Sequence, residues 1–339
     1  MRALVMPAPH VAQVQEWPTP RPGPGEVRVR IACAGICAGD LYIYKGVNPY
    51  TLYPCIAGHE MAGTVEKLGE GVTDWHVGER VVVEPFLGCG TCYPCRIGKS
   101  NCCARLSILG IHRPGGYAEF CVAPATHLHR VPGNMSLSRA SFAEPLAIGV
   151  QSCRRGAVAA GERVLILGAG PIGLAILEVV KAWGARPVIT DLNTERLAFA
   201  QKLGAEVLPG GPELFDAVQE DTRGEGFPVV MEATGAVAAM EQSVALVASG
   251  GRVVVVGLVK PGVGVTFPGL DFTRKELTIV GSRASVDCFP EALALLASGT
   301  IHYPDVATEL SVWDAAATFA LLAENPAAHH KVILRVEEN

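Results

Sequence analysis

The sequence of 339 residues lacks several features that would each place it in a particular class of protein. No apolar run approaches the roughly 18 residues that a membrane span needs, so we expect no membrane partner. No long basic block is present and the net charge is −5, so we expect no nucleic-acid partner. Pro7, Pro9 and His10 stand where a signal peptide would have its apolar core, which predicts a cytoplasmic location.

What the sequence does contain is ample apolar material and many cysteines. Hydrophobic residues make up 49% and charged residues 18%, which excludes general disorder and allows a sizeable core. The length predicts about two domains, and no internal repeat is visible. Eleven cysteines in a reducing compartment indicate metal or redox chemistry rather than disulfides.

The N-terminal part of the chain has the sequence pattern of a β domain. Residues 27–33 alternate apolar side chains with Arg28 and Arg30, the period-two pattern of a half-buried strand. Further strands are predicted over Met61–Lys67 and Arg80–Glu84, separated by glycine-containing turns. This part of the sequence predicts a small, mostly antiparallel β domain.

From about residue 150 short apolar strands alternate with helices, which predicts a parallel sheet covered on both faces. The predicted strands and helices are Arg163–Leu167, Pro171–Trp183, Pro187–Thr190, Asn193–Leu203, Val229–Met231, Arg252–Val256 and Leu277–Val280. The tail has two helices and a strand but no sheet of its own: Pro290–Ser298, Trp313–Glu324 and Val332–Val336. We therefore expect one domain of residues 1–149 and 286–339, and a second of residues 150–285.

A glycine-rich turn after the first of these strands points to a dinucleotide. Residues 168–173, GAGPIG, form the pattern G-x-G-x-x-G between a strand and a helix. The glycines permit a tight turn, a close approach to a pyrophosphate and close helix packing, while the helix N-terminus faces the phosphates. The residues assigned to the cofactor here are Gly168, Gly170, Pro171, Ile172 and Gly173.

Asp191, at the end of the second strand, favours NAD over NADP. A carboxylate there can accept hydrogen bonds from both ribose hydroxyls and would repel a 2′-phosphate. Leu192 and Asn193 supply no cation, and the nearest arginine, Arg196, is also assigned to the cofactor site. A helix-capping role for Asp191 is an alternative, and it is compatible with ribose binding.

The cysteine loop has the spacing of a metal site. Cys89, Cys92, Cys95 and Cys103 follow the pattern C-x2-C-x2-C-x7-C, which suits one tetrahedral zinc ion with no open position. Cys102 is the alternative candidate for the fourth zinc ligand. A redox-active cysteine pair is the alternative interpretation of the CxxC pattern. The remaining cysteines apart from Cys37 are interpreted as small core residues: Cys33, Cys55, Cys121, Cys153 and Cys288.

Three short segments, GICAGD, GHEMAGTV and AEPLAIGV, carry Cys37, His59 with Glu60, and Glu144. Together with CGTCYPCRIGKSNCC, GGYAEF, VLILGAGPIGL and EATGA, they resemble the zinc-dependent medium-chain dehydrogenases/reductases, on the polyol dehydrogenase side. The resemblance covers essentially the whole chain. It implies a GroES-like β domain that holds zinc and a Rossmann domain, with Thr234, Gly257 and Leu258 also at the cofactor.

The resemblance implies a second, catalytic zinc ion. Cys37, His59 and a carboxylate, either Glu60 or Glu144, would bind it and leave a position for a substrate oxygen. Asp40 would hold the imidazole of His59, although a turn-capping role is the alternative. Two zinc ions per chain are therefore expected, one structural and one catalytic.

The sequence departs from the family where a proton relay is usual. Family members commonly have Ser or Thr two residues after the catalytic cysteine and His five residues after it, and here these are Gly39 and Tyr42. Gly39 carries no proton, and a phenol such as that of Tyr42 is a poor base near neutral pH. The usual proton path is therefore in doubt, whereas the metal ligands are unaffected.

The resemblance favours a polyhydroxy substrate, a polyol or a sugar acid, whose secondary alcohol is oxidised to a ketone. Arg113 and Arg283 lie on segments that border the cleft in relatives and are candidates for binding hydroxyls or a carboxylate. The alternatives are a threonine-type amino-alcohol dehydrogenase, a zinc-free enone reductase and a non-catalytic NAD and zinc protein on the same fold. By resemblance, the chain is expected to form a homodimer or homotetramer.

Overall fold

The protein was analysed as a computed structural model, which describes residues 1–336. The chain divides into two compact units. The first comprises residues 1–144, 289–299 and the chain from 304 onward, and the second comprises residues 145–288 and 300–303. Among the described residues, no helix is long and apolar enough to cross a membrane.

The N-terminal part of the first unit is built from short strands and three short helices. The strands are β1 (Arg2–Ala8), β2 (Val11–Glu16), β3 (Glu26–Gly35), β4 (Glu60–Leu68), β5 (Arg80–Val83), β6 (Phe86–Leu87), β7 (Ser107–Ile108), β8 (Phe120–Pro124) and β9 (Leu128–Arg130). The helices are α1 (Ala38–Tyr44), α2 (Tyr93–Arg96) and α3 (Leu137–Ser141). The predicted strands near residues 27, 61 and 80 are thus confirmed as β3, β4 and β5.

The following elements alternate as predicted. They are α4 (Ala143–Arg155), β10 (Arg163–Leu167), α5 (Pro171–Ala182), β11 (Arg186–Asp191), α6 (Thr194–Lys202), β12 (Glu206–Pro209), α7 (Leu214–Thr222), β13 (Phe227–Glu232), α8 (Val237–Leu246), β14 (Val247–Val255), α9 (Gly269–Arg274) and β15 (Thr278–Gly281). The six strands form one sheet in the order β12-β11-β10-β13-β14-β15, and every pairing in it is parallel. Its central strands β10 and β13 contain buried apolar runs, residues 164–167 and 229–231, as expected for strands with both faces covered.

The C-terminal elements are α10 (Phe289–Ala297), β16 (Thr308–Ser311), α11 (Ala315–Glu324) and β17 (Val332–Arg335). The prediction of a helix starting at Trp313 is wrong by two residues, because Val312–Asp314 form a 3-10 turn before α11. β17 pairs antiparallel with β3, and β16, which sequence reasoning missed, pairs parallel with β17. Through β17 and β16, the C-terminal strands thus join the sheet that contains β3.

The main sheet of the first unit has the strand order β16-β17-β3-β4-β5-β9. β8 also pairs with β3 but is not part of this linear order. Val27, Val29 and Ile31 of β3 are fully buried, as the alternating pattern predicts. Most of the pairings are antiparallel, which confirms the predicted mixture of an antiparallel β unit and a parallel α/β unit.

Four of the five cysteines predicted as core residues are buried, namely Cys33, Cys121, Cys153 and Cys288. Cys55 is only half-buried, and it lies on an isolated bridge to Met6 rather than inside a sheet. The prediction for Cys55 is therefore wrong in part.

Candidate zinc and cofactor sites

The first candidate metal site is assembled by the pairing of β3 with β4. Gly35 at the end of β3 lies opposite Glu60 at the start of β4, so the residues just beyond these ends meet. One ligand atom each of Cys37, His59 and Glu60 lies within 4.8 Å of the others. His59 and Glu60 are buried and Cys37 is half-buried. A thiol, an imidazole and a carboxylate in this arrangement fit a zinc ion.

A buried carboxylate, Asp40, organises this group from the first turn of α1. Its Oδ2 accepts hydrogen bonds from Cys37 N and from Tyr117 Oη, both at 2.9 Å, and its Oδ1 accepts from Gly58 N at 3.2 Å. Oδ1 also lies 3.5 Å from His59 Nδ1. Burial opposes ionisation, but the His59 ring and these hydrogen bonds hold the pKa of Asp40 below its usual value. Asp40 thus lies beside the imidazole, where its predicted role requires it.

Glu144 is buried at the start of α4 but lies outside the three-ligand group. Burial raises the pKa of Glu144 to about 8, with Glu60 and Asp40 acting in the same direction and His59 and Lys331 opposing them. The structure therefore brings Glu60, rather than Glu144, together with the thiol and the imidazole.

Lys331, just before β17, is a residue of this site that sequence reasoning missed. It is 2% exposed, and its Nζ donates to Ile36 O at 3.1 Å and to Glu60 Oε1 at 2.6 Å. Nζ also forms an ion pair with Glu60 Oε2. In the sequence, a single lysine stands directly before the apolar run VIL. A lysine buried at the start of such a strand is rarely without a partner, so its position was the available signal.

The two positions of the altered proton relay differ sharply in their surroundings. A Cβ placed on Gly39 would lie 3.6 Å from His59 Cε1 and 4.0 Å from Cys37 Sγ, which is ordinary contact. Space beside the candidate ligands is thus available at Gly39. Tyr42 is 56% exposed on α1, so its phenol faces solvent over much of its surface.

The second candidate metal site is the predicted cysteine loop. Cys89, Cys92, Cys95 and Cys103 bring their Sγ atoms within 4.8 Å of one another, whereas the rival Cys102 is exposed and outside the group. Cys103 Sγ accepts from the backbone of Cys89 at 3.3 Å, and a short helix, α2, carries Cys95 one turn after Cys92. Four sulfurs with no other donor among the group fit a closed tetrahedral zinc site.

Two thiols of this loop have pKa values shifted in opposite directions. Hydrogen bonds from the backbone and the side chain of Thr91 lower the pKa of Cys89 to about 4, whereas desolvation raises the pKa of Cys95 to about 11. A cation bound among the four sulfurs would favour the thiolate form of each of them.

The predicted dinucleotide turn has the expected geometry. Gly168 has φ +102°, which favours glycine, and a Cβ on Gly173 would lie 1.8 Å from Gly168 O. Gly170 is the N-cap of α5, with Pro171 and Ile172 following in its first turn. A Cβ on Gly170 would meet nothing within 4 Å, so the backbone is open on that side. This arrangement leaves the helix N-terminus available to an anion.

Asp191 supports the same turn. Its Oδ2 accepts from Ala169 N and its Oδ1 from Asn193 N, both at 2.8 Å, and Arg196 Nη1 lies 3.9 Å from Oδ2. The N-cap of α6 is Asn193, whose side chain accepts from Glu195 N and Arg196 N. The alternative that Asp191 caps the helix is therefore wrong, because Asn193 occupies that position.

The remaining predicted cofactor positions lie on two loops joined by Glu232, a residue that sequence reasoning did not single out. The carboxylate of Glu232 is fully buried and accepts from Thr234 N at 2.7 Å and Gly235 N at 2.9 Å. Its backbone carbonyl accepts from Gly257 N at 3.0 Å. Leu258 lies three residues after β14 and is 87% exposed, so its apolar side chain is available to a ligand.

The two arginines predicted to bind substrate are placed differently. Arg113 donates from Nη2 to Glu26 Oε1 at 3.0 Å, so its guanidinium already has a carboxylate partner within the first unit. Arg283 is exposed after β15 in the second unit. Their roles toward substrate stay predictions.

Residues 23–133 match the family described as alcohol dehydrogenase GroES-like domain, and residues 171–298 match zinc-binding dehydrogenase. The chain belongs to the zinc-binding alcohol dehydrogenase family. The predicted resemblance and the predicted fold class, a GroES-like unit with a Rossmann sheet, are thereby confirmed. The two groups of candidate ligands are therefore found in a dehydrogenase of a family defined by zinc binding.

Named relatives of this dehydrogenase include polyhydroxy-acid enzymes. An uncharacterized zinc-type alcohol dehydrogenase-like protein of Haemophilus influenzae is 35% identical, with 98% of each chain covered. The L-galactonate-5-dehydrogenase of Escherichia coli is 35% identical over 89% of this chain and 88% of its own. Among solved structures, an Escherichia coli CFT073 protein described as a short chain alcohol dehydrogenase complexed with NADH aligns with a TM-score of 0.92, 32% identity and 99% coverage of both chains.

Proposed function

We propose that this dehydrogenase oxidises a secondary alcohol of a polyol or sugar acid to the ketone, with transfer of hydride to NAD. The observation that carries the proposal is the buried group of Cys37, His59 and Glu60. A relative that acts on L-galactonate and a structure solved with NADH support the substrate class and the cofactor. Zinc bound to this group would act as a Lewis acid on the alcohol oxygen.

The residues of the chain itself supply position, orientation and proton handling. Asp40 accepts from the backbone N–H of Cys37 and lies 3.5 Å from His59 Nδ1, so one carboxylate contacts two candidate ligands. A Cβ at Gly39 would fit in ordinary contact with His59 and Cys37, and we propose that water or a hydroxyl of the substrate uses the space that the missing side chain leaves. Glu60 and Glu144 are two buried carboxylates in the region of these ligands, and we propose that one of them is the first acceptor of the alcohol proton.

Variants at these positions test the proton acceptor. Tyr42→Phe is expected to keep most of the activity at neutral pH, and Glu144→Gln to lose much of it at unchanged zinc content. Gly39→Ser is expected to be tolerated but to narrow the substrate range, because its Cβ fits and its hydroxyl fills the space. A large loss of kcat/KM in Tyr42→Phe, beside near-normal Glu144→Gln and Glu60→Gln, would assign the relay to the tyrosine.

The substrate assignment is tested by NAD reduction over a panel of polyols, sugar acids, L-threonine and simple alcohols, with zinc measured in the same preparation. Two zinc ions per chain and turnover of a polyhydroxy substrate are expected. Preferential turnover of threonine would select the amino-alcohol alternative. Two zinc ions with no turnover of any alcohol would leave a non-catalytic protein on this fold.

We also propose a cytoplasmic homodimer or homotetramer. The resemblance to oligomeric dehydrogenases supports this, as does β15, which ends the parallel sheet with a half-exposed edge. Light scattering on the purified protein measures the oligomeric state, and a monomer at micromolar concentration would contradict the proposal.

A further inference from the structure

The loop that follows the four zinc-site cysteines turns back on itself at residues 108–113 and fixes the ring of His112. The carbonyl of Ile108 accepts from Ile111 N at 3.2 Å and from His112 N at 2.9 Å. Ile108 N in turn donates to His112 Nδ1 at 3.1 Å. A ring nitrogen that accepts a hydrogen bond carries no proton, so the neutral imidazole bears its proton on Nε2. The backbone of this loop thus fixes both the orientation and the tautomer of the ring.

The same loop packs against the segment that leads into His59. Gly116 N donates to Gly58 O at 2.8 Å, and a Cβ on Gly110 would lie 2.6 Å from the same oxygen. Gly110 also has φ +84°, a conformation that favours glycine. The loop that carries His112 is therefore held directly against the residues before a candidate zinc ligand.

Tyr50 faces His112 from the loop after α1, the helix that starts beside Cys37. The centroids of the two rings lie 6.0 Å apart, with an angle of 39° between the ring planes. Tyr50 N donates to Asn48 Oδ1 at 2.9 Å, and Asn48 N donates to Tyr42 O of that helix at 3.2 Å. Tyr50 is 64% exposed and His112 is exposed as well, so this aromatic pair is available to a ligand.

The aromatic pair offers neutral hydrogen-bond donors. Partial burial lowers the pKa of His112, so its ring is neutral at neutral pH. The charged neighbour in sequence, Arg113, donates from Nη2 to Glu26 Oε1 at 3.0 Å. A carboxylate is bound best by a guanidinium, whereas a neutral N–H and a phenol beside aromatic faces suit the hydroxyls and the C–H face of a polyol chain.

We propose that His112 Nε2–H, with Tyr50 beside it, binds a hydroxyl of the substrate's polyhydroxy chain away from the carbon that is oxidised. The inference rests on the proposed function and deepens it, since it names hydroxyls, and not a carboxylate, as the groups that this loop recognises. It assigns to His112 the role toward substrate that the sequence suggests for Arg113.

The variant His112→Asn separates substrate binding from support of the loop. An asparagine side-chain oxygen can still accept from Ile108 N, whereas the Nε2–H is lost. We expect kcat/KM for D-sorbitol and L-galactonate to fall about 3- to 10-fold, the range of one hydrogen bond between neutral groups. Isopropanol is a secondary alcohol with no further hydroxyl, so its kcat/KM should not change.

A structural role alone predicts a different pattern. His112→Asn would then resemble wild type, and His112→Phe, which removes the acceptor for Ile108 N, would lower kcat/KM for all three alcohols alike. His76→Asn is the matched control, because it changes another exposed histidine of the first unit and should leave every measurement unchanged.

Two measurements do not depend on turnover. Nitrogen NMR spectra of the histidine rings report the tautomer, and a proton on Nδ1 of His112 in wild type would overturn the inference. Titration of D-sorbitol into the NADH complex, followed by NADH fluorescence, should give a Kd that is about 3- to 10-fold higher in His112→Asn than in wild type.

An unchanged Kd and kcat/KM for D-sorbitol in His112→Asn would also overturn the inference, as would an equal loss for isopropanol. A larger loss for L-galactonate than for D-sorbitol would assign the residue to a carboxylate and would refute the choice of hydroxyls. Failure of the proposed function looks different, since wild type then oxidises none of the three alcohols. The tautomer and the Kd still judge the role of His112 in that case.

Discussion

The substitution Asp40→Asn tests how far one buried carboxylate organises the catalytic site. Asp40 is fully buried, and both of its oxygens accept backbone hydrogen bonds, from Cys37 N at 2.9 Å and from Gly58 N at 3.2 Å. Tyr117 Oη donates to the same carboxylate, and His59 Nδ1 lies 3.5 Å from it. An amide keeps one acceptor oxygen and replaces the other by an NH2 donor, so in either orientation one buried backbone N–H faces a donor.

The size of the effect follows from these contacts. A hydrogen bond to a charged group contributes about 1.5–3 kcal/mol, and a buried N–H left without a partner costs about 1–3 kcal/mol. We therefore expect Asp40→Asn to lower the free energy of unfolding by about 2.5 kcal/mol, the low end of the sum, because the remaining oxygen keeps its donors. Loss of the carboxylate beside His59 should also weaken binding of the catalytic zinc by about 10- to 100-fold.

Urea unfolding of the zinc-loaded protein measures the first effect, and competition with a chromogenic chelator measures the second. Tyr117→Phe is the matched control, because it removes one donor to Asp40 and leaves the carboxylate its backbone partners. It should cost about 1 kcal/mol and change zinc affinity much less. Equal unfolding free energies and equal zinc affinities for Asp40→Asn and wild type would refute the reasoning.

Three further predictions concern other parts of the chain. Cys95→Ser should lower the melting temperature and reduce the zinc content to one ion per chain, since metal binding is coupled to folding of the cysteine loop. Cys102→Ser should change neither the zinc content in elemental analysis nor the melting temperature. Asp191→Ala should weaken NAD binding about tenfold and relax the preference against NADP, as measured by fluorescence titration; equal use of both cofactors by wild type would contradict this interpretation. Arg28 holds the pKa of Glu66 below its usual value, so the stability of this pair is present above about pH 4.5, the pKa of an unpaired glutamate, and is lost as pH falls. Because the pair is partly exposed, its loss in Arg28→Met should cost less than about 1 kcal/mol at pH 7 in urea unfolding. The cost should be smaller at pH 3, where the hydrogen bond from Arg28 to Pro20 O is still lost, and equal costs at both pH values would argue against the ion pair.

The features predicted correctly are those encoded by neighbouring residues. The alternation of residues 27–33 specifies a strand with one buried face, and β3 has that face. Residues 163–173 specify a strand, a tight turn and a helix, because glycine is required at Gly168 and Gly173 for conformation and for close packing. Such signals need no knowledge of the rest of the chain.

The features missed depend on residues far apart in sequence. Lys331 contacts Ile36 and Glu60 only because β17 pairs with β3, and no local pattern specifies that pairing. Glu178 similarly fixes residues 300–303 to the second unit by accepting from the backbone of His302 and Tyr303. A buried charge indicates that a partner exists, but only the folded chain identifies the partner.

The C-terminal segment is therefore part of the candidate zinc site rather than an addition to the β unit. β3 presents one edge to β4, which brings Cys37 to His59, and part of its other edge to β17, which brings Lys331 to Glu60. The same strand thus determines both the metal ligands and the cation beside them. In this chain, motifs around the candidate ligands indicate zinc chemistry, whereas the lysine just before the last strand supplies the charge that the Glu60 carboxylate meets.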